Sequence, residues 1–104
     1  MENITIGNFE YRIKKMNAIE LLAMQTQMDF DSFDNAVKCY DTILEKIEVK
    51  MKDNWLQVKE TGKNLYYPAS VEEDFDTVAQ LIKYFMDYMK SVFLKSNESK
   101  EKTE

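Results

Sequence analysis

The chain has 104 residues, 44% of them hydrophobic, and a formal charge of −5 with no His, one Cys, one Trp and only two Gly. That is enough sequence for one modest core and too little for two domains. The acidic balance, with Arg12 as the only Arg, argues against a nucleic-acid surface, which needs clustered Lys and Arg.

Ile4-Thr5-Ile6 and Phe9-Glu10-Tyr11-Arg12-Ile13 alternate apolar with polar residues around Gly7-Asn8. This predicts a β-hairpin with a two-residue turn of type II′ or I′. Asn17 and Glu20 make a capping pair for a short helix over 18–28, with Ile19, Leu22 and Ala23 on one side and Leu21, Met24 and Met28 on another. Asp29-Phe30-Asp31-Ser32-Phe33-Asp34 has the acidic spacing that opens a calcium loop. It lacks the glycine, and Tyr40 stands where the closing Glu belongs. These acids are therefore read as an N-cap, at Asp31 or Ser32, and as dipole partners of the next helix.

That helix is predicted from Phe33 to Ile47, with Phe33, Val37, Tyr40, Leu44 and Ile47 as its apolar stripe. Cys39 lies off the stripe and reads as a small, inert, partly buried side chain. Without His there is neither a Cys–His nucleophile pair nor a Cys/His zinc site. A single Cys allows no intramolecular disulfide, which fits a reducing compartment.

Glu48-Val49-Lys50-Met51-Lys52 and Trp55-Leu56-Gln57-Val58-Lys59, around Asp53-Asn54, predict a second hairpin. Its Lys50, Lys52 and Lys59 discourage edge pairing. Thr61-Gly62-Lys63-Asn64 is a loop without phosphate-loop spacing, because Gln57 stands where the first glycine would be. Leu65-Tyr66-Tyr67-Pro68-Ala69 is extended ahead of a helix predicted over Ser70–Leu94. That helix has Ser70 and Glu73 as its capping box and a seam of Val71, Phe75, Val78, Ile82, Phe85, Met89 and Val92.

The expected fold is α+β: a small antiparallel sheet from two hairpins, packed with two to three helices, the last the longest. Residues 1–95 form the domain and 96–104, with no apolar side chain, a disordered polar tail. The last helix carries more apolar residues than one seam needs. Leu81, Met86, Met89 and Phe93 are the candidate partner-binding residues. The start, Met1-Glu2-Asn3-Ile4, predicts no secretory leader, and the longest apolar run is interrupted by Lys83, Asp87 and Lys90, so no membrane span is expected. No catalytic, cofactor or metal residues are identified.

The segment Phe9-Glu10-Tyr11-Arg12-Ile13-Lys14-Lys15-Met16-Asn17-Ala18-Ile19-Glu20-Leu21-Leu22 resembles the opening of small tail assembly chaperones of long-tailed phages and prophages. There a strand ending in basic residues leads into an Ala- and Leu-rich helix. The order of Trp55-Leu56-Gln57-Val58-Lys59, Leu65-Tyr66-Tyr67-Pro68-Ala69, a capped helix and Val92-Phe93-Leu94-Lys95-Ser96 is similar to the same family, and the likeness covers about residues 9–96. It rests on pattern and order and includes no catalytic signature. The resemblance implies a non-enzymatic protein of the bacterial host cytosol. It would bind apolar helical segments of the tape-measure protein, keep that protein soluble until the tube assembles around it, and meet the tail tube protein in the process. A longer frameshifted form also occurs in that family. The alternative expectation is a structural or adaptor phage protein, at the head–tail joint or in the tail, or a small homo-oligomeric interaction domain.

Overall fold

In the computed structural model, which describes residues 2–27 and 33–102 (side chains over 2–27 and 35–93), both hairpins form. β1 (Ile4–Ile6) and β2 (Phe9–Ile13) are joined by Gly7-Asn8. φ is +61° at Gly7 and is not positive at Asn8, the pattern of a type II′ turn. β3 (Ile47–Met51) and β4 (Asn54–Gln57) are joined by Lys52-Asp53, one residue earlier than Asp53-Asn54. Lys52 takes φ +58°, a left-handed conformation that a side chain disfavours.

The four strands make one antiparallel sheet in the order β1-β2-β3-β4. The two hairpins meet along Tyr11↔Val49, Arg12↔Glu48 and Ile13↔Ile47. Because side chains alternate across a strand, this register sorts the faces. Ile4, Ile6, Phe9, Tyr11, Ile13, Ile47, Val49 and Met51 fall on the side of the core. Thr5, Glu10, Arg12, Glu48, Lys50, Trp55 and Gln57 fall on the other. Past β4, Val58–Glu60 doubles back on Leu65–Tyr67 through Tyr67 N–H to Val58 O (2.7 Å) and Glu60 N–H to Leu65 O (3.1 Å).

The helices are α1 (Ala18–Gln27), α2 (Phe33–Glu45) and α3 (Phe75–Lys102), with a 3₁₀ turn at Ala69–Glu72. The class is α+β with the last helix longest, as expected. Asn17 caps α1: its Oδ1 accepts from Glu20 N–H at 2.8 Å. The acidic stretch at 29–32 and the cap expected there lie outside the described residues. The C-terminal carbonyls of α2 are bonded by the last residue of β4 and the chain that follows it. Gln57 Nε2–H donates to Glu45 O (2.6 Å) and Lys59 N–H to Leu44 O (3.2 Å), satisfying groups a helix end leaves open.

Two helical phases differ from expectation. In α2 the inward residues are Cys39, Ile43 and Leu44, while Val37 and Tyr40 are exposed. The helix ends at Glu45 and Ile47 is already in the sheet. Cys39 and Ile43, four apart, form the buried line, so Cys39 lies on the core side of the helix.

The start of α3 moves further. Ser70 does not open a helix; its carbonyl accepts from Glu73 and Asp74 N–H, both at 3.1 Å. Asp74 is the cap, with Thr77 Oγ1–H donating to its Oδ2 (2.6 Å) and Thr77 N–H to its Oδ1 (3.4 Å). One helix from Ser70 would align Val71, Phe75 and Val78. The break uncouples them, so that Val71 is buried at 1% exposure and Phe75 stands out at 82%. The helical backbone then continues to Lys102, through most of the 96–104 segment expected to be a disordered tail. Its many Lys and Glu residues are good helix formers. Residues 103 and 104 lie outside the described residues.

The core sits between the sheet and α2 and α3. Tyr11, Ile43, Ile47, Val49, Val58, Val71, Leu81 and Phe85 are its most deeply buried members. Met24 and the half-buried Leu21 anchor α1 to it. Tyr84, on the buried side of α3, donates its O–H to Glu2 O at 2.9 Å and ties the start of β1 to that helix.

Candidate functional site

α3 carries two apolar lines. Val78, Leu81, Phe85 and Tyr88, spaced three and four apart, turn toward the body; Leu81 and Phe85 are fully buried. A second line, Phe75, Ala79, Ile82, Met86, Met89 and Phe93, is spaced four and three and lies on the flank of the first. Phe75 and Met86 on it are exposed, at 82% and 37%. Ile82 and Phe93 are half-buried against the core, and Met89 is buried.

The four residues singled out from sequence therefore separate. Leu81 and Met89 are core, Phe93 packs partly on the core, and Met86 alone among them is exposed. Leu81 turns inward because it falls on the same line as Phe85 and not on the flank. Sequence reasoning missed Phe75, which it had placed in the seam. It also left Ile19 and Leu22 unassigned between two sides of α1. In the fold they are the outward side, 75% and 52% exposed, since Met24 and Leu21 turn in. On α2, Val37 and Tyr40 are exposed as well. The signal for all of these was present as helical spacing; the missing information was the phase.

Two polar constellations accompany this surface. On the outer face of the sheet, Arg12 Nε–H donates to Glu48 Oε1 at 2.8 Å, and its guanidinium lies 4.1 Å from the Trp55 ring centroid. Beside α2, Lys59 is 8% exposed. Its ammonium meets Asp41 at 3.8 Å and the Tyr66 hydroxyl at 3.4 Å, and that hydroxyl donates to Asp41 at 3.0 Å. Burial, then the hydrogen bond to Asp41, push the Tyr66 phenol above its ordinary range. The arrangement satisfies a buried cation.

Cys39 is buried and donates to Gln27 O at 3.1 Å. Among the described residues no three His, Cys, Asp or Glu side chains gather as they would around a metal ion, and no helix is long and apolar enough to cross a membrane. The described residues place exposed apolar side chains on the helices and aromatic and charged groups on the outer sheet face. Comparison with family models, with curated proteins and with solved structures finds no match to this chain.

Proposed function

We propose that the chain is a non-enzymatic binding protein, a tail assembly chaperone of a long-tailed phage or prophage that acts in the bacterial host cytosol. Its client is the tape-measure protein, bound through apolar helical segments. The observation that carries this reading is the second line of α3, where Phe75 and Met86 stay exposed beside the half-buried Ile82 and Phe93. An amphipathic client helix presents apolar residues at the same three-and-four spacing and can lie along such a line. Methionine suits a surface that must accept many different client turns, because its side chain is unbranched and polarizable. The net charge of −5 helps keep a loaded complex dispersed.

Co-expression of the tape-measure protein with and without this chain tests the proposal. The expected result is a client that is soluble only in the presence of the chain. With Met86→Lys and Phe75→Ser together, the client returns to the insoluble fraction while the variant itself stays folded. A tape measure equally soluble with and without the chain defeats the proposal.

A further inference from the structure

A cavity of about 300 Å³ opens beside β4, lined by Glu48, Trp55, Leu56, Gln57, Glu60 and Tyr67. Its lining has two carboxylates, two aromatic rings and no cationic side chain. Glu48 is engaged by Arg12 at 2.8 Å and Glu60 by Lys63 at 2.9 Å. A carboxylate has about four acceptor positions, so both retain capacity. The chain already displays the preference of this place: its only Arg sits over Trp55 and on Glu48, using ring face and carboxylate together as cations do.

β4 is an edge of the sheet. Its sequence, Asn54-Trp55-Leu56-Gln57, contains neither a charge nor a proline, the usual devices that block strand addition. The lysines expected to guard this edge lie elsewhere: Lys50 is on β3, Lys52 is in the turn and Lys59 is buried. Val58 N–H bonds to Ile47 O at 2.8 Å. That sets the phase of the ladder, in which Leu56 faces Val49 through hydrogen bonds and the backbone groups of Trp55 and Gln57 point to the open side.

We propose that β4 accepts an extended segment of a protein partner as a fifth strand, with an Arg or Lys side chain of that segment seated in the cavity between Trp55, Tyr67, Glu48 and Glu60. The backbone ladder supplies the register and the cavity supplies the selectivity. A second copy of this chain is the wrong occupant. Pairing β4 with β4 would leave each cavity without a cation to seat, because Asn54-Trp55-Leu56-Gln57 carries none. This surface is separate from the α3 flank, so the inference stands or falls independently of the chaperone reading.

Trp55 is the only Trp, so its fluorescence reports on this site alone. The intact chain is titrated with a short acetylated peptide alternating Arg with Val. The expected result is a saturable change in Trp55 emission. Three comparisons should each weaken binding: Glu in place of Arg abolishes it, an equally charged peptide with central Pro weakens it about tenfold or more by removing ladder bonds, and Glu60→Gln weakens it about fivefold by removing one charge-assisted contact. No saturable change overturns the proposal. So does equal binding of the Pro peptide, which would mean charge attraction alone. A concentration-dependent Trp55 shift without peptide, showing self-pairing at this edge, also overturns it.

Discussion

Leu81 and Met86 are one turn and a little apart on α3, yet they should respond oppositely to truncation. Leu81 is fully buried and Met86 is 37% exposed. Leu81→Ala removes the carbons beyond Cβ at ~0.8 kcal/mol each, and the cavity left behind brings the cost to about 3–4 kcal/mol. Met86→Ala loses contact on one side only and places a better helix former at the position, so its cost is below about 1 kcal/mol. At roughly 1–1.5 kcal/mol per M urea for a chain of this size, Leu81→Ala lowers the urea midpoint by about 2–4 M. Met86→Ala moves it by well under 1 M. Circular dichroism during urea titration measures both. A Leu81→Ala midpoint within 0.5 M (about experimental scatter) of the parent would show that Leu81 is not core and that the phase of α3 is wrong. If Met86→Ala instead falls as far as Leu81→Ala, the flank is packed and unavailable to a client.

Asp74 is held below its ordinary pKa of 3.8, first by the hydrogen bond from the Thr77 side chain and then by that from the Thr77 backbone. The stability it contributes is full above that value and is lost as pH falls through the lower folded one. Asp74→Asn keeps a capping oxygen without the titration, so its thermal midpoint should fall less than the parent's between pH 4 and pH 2; parallel loss in both chains would contradict the cap. The Tyr11, Tyr66 and Tyr84 phenols are each raised chiefly by burial. Their contribution is complete below pH 10 and declines above it, and a denaturation midpoint that is flat from pH 9 to pH 11.5 would count against their burial. Lys52 holds φ +58° in the β3–β4 turn, and Lys52→Gly should raise stability by about 0.5–1 kcal/mol; a lower thermal midpoint would refute the strain. Arg12→Ala uncovers the Trp55 ring and removes a part-exposed ion pair, which costs about 1 kcal/mol. It should also shift Trp55 emission to the red, and an unchanged spectrum would mean that the ring is not stacked.

The hairpins and the first cap were legible in the residues because their signals are local. Gly7 takes the positive φ that its turn needs, and Asn17 meets Glu20 within one helical turn. Phase was less legible. Both Ser70-Val71-Glu72-Glu73 and Asp74-Phe75-Asp76-Thr77 are acceptable openings for a helix. The outcome depends on Val71 reaching the core, a tertiary fact with no local signature. The same holds in α2, where Val37-Tyr40 and Cys39-Ile43 are neighbouring apolar pairs and only the core beneath selects between them. The candidate surface inherited that ambiguity. An excess of apolar residues on α3 was readable from sequence, whereas which of them remain outside was decided by rotations too small for composition to encode. The Arg12–Trp55 contact was out of reach for another reason. It joins β2 to β4 across β3, and nothing in either hairpin alone announces it.

The arrangement of the sheet also sets how the chain must find it. β1–β2 and β3–β4 each close over a two-residue turn, an event on the scale of about 1–10 μs. The joint between them, Ile13 against Ile47, must wait for the whole of residues 14–46 to be gathered in. That closure is the one long-range search in the sheet, and its entropy falls due before Tyr11 and Val49 touch. α1 and α2 occupy the intervening chain, so they shorten the search only to the extent that they are already wound. The refolding rate should therefore track helix formation between the hairpins more closely than the strength of either hairpin, which a stopped-flow comparison of helix- and turn-directed substitutions would resolve.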